Sequence, residues 1–291
     1  MGEKTNRREF LKAVNLIGLA ASGLALGMGS KAEAATLQYS PMTASGDRYI
    51  NPRKVLLWEC TRKEIREAFE SGKLKAAIVP TGSTEQHNEH LAMIHDTVSA
   101  TLISQLVALK MYPEVIVSTP VPFGFSPYWM NRKGTLTLRP EIFLGVVYDI
   151  CESLKTHGIK TIFIVNGHGG NAKHLAGAMT EFRSKLGITI DSCSYWDGLT
   201  PDKVKSILES GDVPGHASEL ETSMGLAAFP ERVHISEVNY DKANLSNLTE
   251  DERKADRDGY QKALLGTADK GEKIIALAVQ WVAEKLQGMM G

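Results

Sequence analysis

Residues 81–96 read TGSTEQHNEHLAMIHD, and their flanks decide the fold. Before them, Lys75-Ala-Ala-Ile-Val-Pro80 is a short apolar run, the pattern of a strand covered on both faces. After them, Val98, Leu102, Leu106 and Leu109 recur at helical spacing, which predicts a helix over 97–111. The polar stretch is therefore a strand-to-helix loop, where α/β proteins place ligands and catalytic groups. It gathers Glu85, His87, Glu89, His90, His95 and Asp96, so three of the chain's eight histidines fall in one loop. Glu85 and His87, two residues apart on extended backbone, project to the same side. Imidazole and carboxylate together suit borderline divalent cations such as Zn, Mn or Fe.

Outward from this loop the same unit recurs. Thr161-Ile-Phe-Ile-Val165 reads as a strand, followed by Asn166-Gly-His-Gly-Gly-Asn171 and a helix over 173–186. Residues 114–122 read as a strand ended by prolines, and 188–196 as a fourth, whose end carries Tyr195, Trp196 and Asp197 toward the same edge. Pro140 opens a helix with Phe143, Val146, Val147, Ile150 and Leu154 on its buried face. Thr61 and Gly72 bracket a short amphipathic helix, and another closes the chain over 271–289. Strands alternating with helices predict an α/β fold with three α/β/α layers and a mainly parallel central sheet. Such a sheet brings its strand-end loops to one edge, so the two histidine loops can converge.

A third polar cluster, PGHASELETS over 214–223, precedes a helix expected over 218–229. Ser218 and Glu221 have the spacing of a capping box, which gives Glu221 a structural role. His216 and Glu219 have no comparable structural reason to be there. The loop Gly124–Thr135 carries Tyr128 and Trp129, which are either a pocket wall or ordinary packing. Residues 240–259 are highly charged and read as solvated helix or loop.

The N-terminus is of another kind. Thr5-Asn-Arg-Arg-Glu-Phe-Leu-Lys12 leads into a mild Gly- and Ala-rich run, then Ala32-Glu-Ala34 as a small-x-small cleavage pattern. This resembles a twin-arginine export signal, implying cleavage after Ala34, the export machinery as a partner, and a periplasmic or otherwise exported product. The run is too rich in Gly and Ala to be a stable membrane anchor. Residues 35–291 then form a single domain. Removing five basic and three acidic residues from the chain's 33 and 34 leaves 28 and 31. That balance gives no electrostatic reason to expect nucleic acid. Cys60, Cys151 and Cys193 lack CxxC spacing and read as buried thiols.

No GxSxG elbow and no phosphate-cradling glycine loop is present in the sequence. Three loops supply carboxylates and imidazoles instead, which suits a hydrolase in which two divalent cations acidify a water. The motifs GSTEQH-x8-D over 82–96, Gly134-Thr-Leu-Thr-Leu138, NGHGGN and HASELETS resemble the creatininase (creatinine amidohydrolase) family over 56–286. The resemblance implies a homo-oligomer, often a hexamer, and a site for two divalent metal ions. Glu85 and His168 would hold one metal and His87 the other, with Asp96 bridging. His216 matches a late catalytic histidine, a proton donor to the leaving nitrogen. Gly170 stands where creatinine-hydrolysing members carry a Glu, and Glu219 is expected to supply the missing ligand, with Glu221 as the alternative. Arg132-Lys133 replaces the usual Phe-Pro, so creatinine itself is not the expected substrate. Tyr128, Trp129 and Trp196 would line the substrate pocket. The resulting expectation is an amidohydrolase of a small polar, possibly cyclic, substrate. A hydrolase of a sugar- or inositol-derived lactone or cyclic ketone is the alternative, and a non-catalytic metal- or ligand-binding protein a third.

Overall fold

The computed structural model describes residues 54–238 and 248–291; the stretch read as an export signal, residues 35–53 and part of the charged 240–259 stretch lie outside them. Four strands, β1 (Ala76–Thr81), β2 (Val115–Val117), β3 (Thr161–Asn166) and β4 (Thr189–Ser194), form an all-parallel sheet in the order β2-β1-β3-β4. The helices are α1 (Arg62–Glu70), α2 (His95–Lys110), α3 (Pro140–Thr156), α4 (Gly169–Leu186), α5 (Pro201–Val204), α6 (Glu219–Ala228), α7 (Glu250–Ala263) and α8 (Ala268–Met290). Among the described residues no helix is long and apolar enough to cross a membrane.

The pleat sorts side chains into two cores. Ile78, Phe163 and Val165 face one side, packed with Leu102 and Leu106 of α2, Leu220 and Met224 of α6, and Ile275, Val282 and Leu286 of α8. Ala77, Val79, Ile162 and Ile164 face the other, against Phe143 and Val147 of α3 and Leu175 and Phe182 of α4. This is the expected three-layer α/β/α arrangement. Truncating a fully buried Leu102 or Leu286 to Ala would cost about 2–5 kcal/mol.

Local sequence explains most boundaries. Thr61 and Glu64 close a reciprocal capping box at the start of α1, and Gly72 follows its end at φ 66°, a conformation that costs glycine little. β2 is shorter than its sequence suggests because Pro120 and Pro122 cannot donate to a ladder. Only Val121 rejoins the sheet, as a single bridge to Thr81. α2 and α4 begin earlier than their apolar periodicity, at His95 and Gly169. In α3, Val146 is exposed at the edge of the apolar stripe, and Cys151 takes the core position instead.

Register positions the functional end. Thr81 pairs with Asn166, and Asn166 with Ser194, so β1, β3 and β4 end level. The loops that follow leave the sheet side by side.

Candidate metal and active site

Three loops meet at that edge, each entering a helix: 82–94 before α2, 167–168 before α4, and 205–218 before α6. Carboxylates in these first turns sit where the helix dipole favours negative charge. Gly167 permits the approach, because a Cβ there would stand 2.2 Å from the Asp96 carbonyl oxygen. The two asparagines of NGHGGN tie the loops together. Asn166 Nδ2 donates to the His168 carbonyl at 2.7 Å while its Oδ1 accepts from the His168 amide at 3.1 Å. Asn171 Nδ2 donates to the Gly82 carbonyl, and its Oδ1 accepts from the Phe125 amide.

Within this frame Glu85, His87, Asp96, His168 and Glu221 form one buried cluster. His87 Nδ1 lies 3.1 Å from the Glu85 carbonyl, which can only accept, so the proton is assigned to Nδ1. Its Nε2 then faces Asp96 Oδ1 at 2.9 Å and Glu221 Oε2 at 3.7 Å. His168 is held likewise. Its Nε2 donates to the Phe125 carbonyl at 3.0 Å, with Ser126 Oγ and Tyr128 OH close by. Its Nδ1 faces Asp96 Oδ2 at 2.9 Å and Glu85 Oε1 at 3.4 Å. Pinning the far nitrogen to a carbonyl while the near one meets carboxylates is how proteins prepare a histidine for a metal.

The cluster has capacity its own groups do not use. Glu85 Oε2 and Asp96 Oδ2 are buried without a hydrogen-bond partner of their own, although His168 Nδ1 lies 2.9 Å from the latter. Buried carboxylate oxygens left unpaired are costly, and a cation relieves that cost. Glu85, Asp96 and His168 can converge on one ion; His87, Asp96 and Glu221 can converge on another, sharing Asp96. A third grouping, Glu85, His87 and His216, draws on residues of both.

The protonation pattern matches a cluster in which protons stand where cations could sit. Burial opposes charge on His87, but Asp96, Glu221 and Glu85 outweigh it and push its pKa up to about 10. The same opposition, won by Asp96 and Glu85, brings His168 up to about 10. Burial, reinforced by Asp96 and Glu85, pushes Glu221 up to about 8. Burial also tends to raise Asp96, but the two facing imidazoles hold it well below the carboxylate range.

His216 borders the cluster. Gln86 Oε1 accepts from the Asn88 amide, which orients the Gln86 amide group so that its Nε2 donates to His216 Nε2 at 2.8 Å. Nδ1 of His216 therefore carries the proton and points toward Glu85 Oε1, 3.6 Å away. The side chain is 29% exposed, toward the pocket. Burial of the rest of the ring and the charge on His87 hold it well below the usual histidine range.

A cavity of about 150 Å³ opens over these groups, lined by Tyr128, Trp129, Trp196, Gly169, Gly170 and Pro214 besides the cluster. All three aromatic residues singled out in the sequence therefore reach the pocket. Larger surface grooves lie at the opposite edge of the sheet, away from the cluster.

One expectation is corrected. Glu219 does not reach the cluster: its carboxylate accepts from the Glu209 and Ser210 amides and pairs with Lys270 Nζ at 2.6 Å. Two residues on, the next position but one in the first turn of α6 faces a different way, and Glu221 occupies the site. Nor is there a capping box. Ser218 Oγ donates to the Gly215 carbonyl, while Glu221 Oε2 accepts from Ala217 N at 2.6 Å. Gln86, Asn166 and Asn171 support the site from inside the GSTEQH and NGHGGN motifs, and their motif positions are the only signal of that role in the sequence.

Comparison with known proteins bears on this arrangement. The family model described as creatininase, creatinine amidohydrolase, matches residues 58–286. The chain belongs to the creatininase family. Among creatininase-family relatives, 3-dehydro-scyllo-inosose hydrolase of Thermotoga maritima is 30% identical over 63% of this chain and 59% of its own length. A mycofactocin precursor peptide peptidase of Mycobacterium ulcerans is 29% identical over 54% of this chain and likewise 59% of its own length. The chain thus spans under two thirds of these two relatives. Creatinine amidohydrolase of Pseudomonas putida is 25% identical over 81% of this chain and 97% of its own length. A creatininase crystal structure superposes with a TM-score of 0.70 at 23% identity, covering 81% of this chain and 98% of that one, which shows the shared fold. Other solved creatininases are described as a Zn-Zn type and as a Mn form.

Proposed function

We propose that this creatininase-family chain is a divalent-metal-dependent hydrolase that cleaves a C–N amide bond in a small, polar, uncharged substrate. The observation that carries the reading is the shared Asp96: it stands in two triads of metal-ligating groups that together use five buried residues. Glu85, Asp96 and His168 would hold one cation, and His87, Asp96 and Glu221 a second. The Zn and Mn descriptions of solved creatininases support these metals. Bound there, the cations would polarise a carbonyl and acidify a water.

The chain's own residues supply the rest. His216 points Nδ1 toward Glu85 Oε1 at the edge of the pocket, where it could exchange a proton with a leaving nitrogen. Trp129 and Trp196 give the substrate flat apolar walls, and Tyr128 presents its hydroxyl beside His168. Apart from the cluster and His216, the cavity lining among the described residues carries no charged side chain, which favours a neutral substrate over an acid or an amine. The cavity volume of about 150 Å³ favours a compact one.

A second reading has its own support. A cavity with indole walls over the polar cluster also suits a polyhydroxylated ring, and an inosose hydrolase is among the relatives. Metal analysis followed by a hydrolysis screen of neutral cyclic amides against lactones and cyclic ketones separates the two. Turnover confined to the carbon–oxygen or carbon–carbon substrates would replace the amide reading; a metal-free protein without turnover would end both.

A further inference from the structure

α7 lies outside the three loops that build the site, yet it grips two of the pocket's walls. On one wall, Arg132 Nη2 donates to both carboxylate oxygens of Asp256, at 2.8 and 2.9 Å, while its Nη1 donates to Asn131 Oδ1 at 3.1 Å. Asn131 donates to Glu252 at 2.7 Å. On the other, Lys262 pairs with Asp212, four residues before His216. The two walls touch: the Trp129 indole stacks on His216, centroids 4.7 Å apart and planes 23° from parallel. The Arg132 guanidinium carbon lies 4.8 Å from the centroid of the same indole.

The Arg132–Asp256 pair is not an ordinary surface pair. Its side chains are only 12% and 8% exposed, and desolvating two charges offsets much of what their attraction returns. Such a pair is better explained by the geometry it enforces than by stability. A planar guanidinium held at Nη2 by Asp256 and at Nη1 by Asn131 has its plane set at two points, which the single ammonium of a lysine could not reproduce.

We propose that Arg132, oriented by Asp256, is a positioning residue that keeps Trp129 flat on His216 and so fixes the aim of that imidazole into the pocket. The inference rests on His216 handling the proton in the proposed hydrolysis. The contacts form a chain: Asp256 orients Arg132, Arg132 seats the indole, and the indole blocks rotation of the imidazole on its open side. Gln86 holds the ring's edge at Nε2; Trp129 holds its face. A catalytic group displaced by about an ångström can lose up to about a hundredfold in rate.

Two readouts on zinc-loaded protein test this, one independent of turnover. Histidine labelled with 13C at Cε1 gives one signal per ring, and His216→Gln identifies that of His216. The ring current of a stacked indole should shift the His216 Hε1 proton upfield, and Trp129→Leu should abolish the shift. Arg132→Lys keeps the charge opposite Asp256 and so preserves folding, yet it should also abolish the shift. With the metal content of the same sample unchanged, kcat on the substrate found in the screen should fall about tenfold or more, KM changing less. Asp256→Asn should reproduce Arg132→Lys. A retained shift in Arg132→Lys and Asp256→Asn would overturn the proposal, as would a lost shift with unchanged kcat. If no substrate is turned over by the parent protein, the hydrolase reading fails while the His216 signal still reports whether Arg132 holds the stack.

Discussion

Glu219 and Glu221 are two residues apart and face different environments, so substituting each with Gln should separate them cleanly. Glu219 is fully buried and paired with Lys270, whose side chain is 15% exposed. Breaking a buried pair by removing one charge costs about 3–5 kcal/mol. Glu209 also reaches Lys270 at 2.7 Å and remains in Glu219→Gln, which places the loss near the lower end, about 3 kcal/mol. For a chain of this size that is a fall in Tm of roughly 6–12 °C. It should appear equally with and without metal, with metal content intact. Glu221, raised to about 8, is largely neutral at pH 7 in the metal-free protein, so Gln replaces it with little change of shape or charge. The metal-free Tm of Glu221→Gln should therefore stay close to that of the parent. What it should lose is one of two cations per chain and the stabilisation that cation provides. Thermal melts with EDTA and with zinc, beside elemental analysis, read both variants. Metal lost at Glu219→Gln and kept at Glu221→Gln would refute the assignment.

In the metal-free protein His87 and His168 are raised from 6.5 to about 10 and Glu221 from 4.5 to about 8. Raised groups stabilise fully below their unfolded pKa and lose that effect as pH rises through the folded one. Glu221 loses its contribution between about pH 4.5 and 8 and the two histidines lose theirs between about 6.5 and 10, so metal-free Tm should fall across about pH 6.5 to 10, where all three titrate, and flatten when zinc is added; a flat or rising metal-free profile there would contradict this. A Cβ at Gly170 would meet the Phe125 carbonyl at 2.2 Å and the Tyr128 hydroxyl at 2.4 Å. Gly170→Glu should therefore displace the 125–128 loop and reduce metal content and turnover, instead of adding a ligand; higher occupancy would count against that packing. Changing both Arg7 and Arg8 to Lys should leave an uncleaved precursor inside the cell, seen by fractionation and N-terminal sequencing, whereas normal export would remove the twin-arginine reading.

The parts of the fold governed by local periodicity were legible in the sequence. Apolar runs at 75–80 and 161–165 mark strands because both faces of a parallel sheet are covered, and the stripe at Ile275, Val282 and Leu286 marks α8. Their pairing order was not legible, since it depends on crossovers and not on any one strand. In the site, the spacing of Glu85, His87 and Asp96 was informative because one loop carries all three. The choice between Glu219 and Glu221 is open in the sequence for a physical reason. A carboxylate in the first helical turn satisfies backbone amides in many proteins, and Glu221 does accept from Ala217 N while it faces His87. Only the rotation of α6 against α8 and α2 decides which of two nearby carboxylates points inward. The Arg132–Asp256 clamp spans 124 residues and left no local trace at all.

Asp96 is the residue both triads share, so the two-metal account stands or falls on it. Asp96→Asn keeps the shape of the side chain and removes the charge that would offset the repulsion between two neighbouring cations. Metal stoichiometry and turnover measured on the same Asp96→Asn preparation give the most direct test. The account predicts loss of at least one cation per chain and a fall in turnover of about a hundredfold or more. An Asp96→Asn protein that retains two cations and full turnover would contradict it.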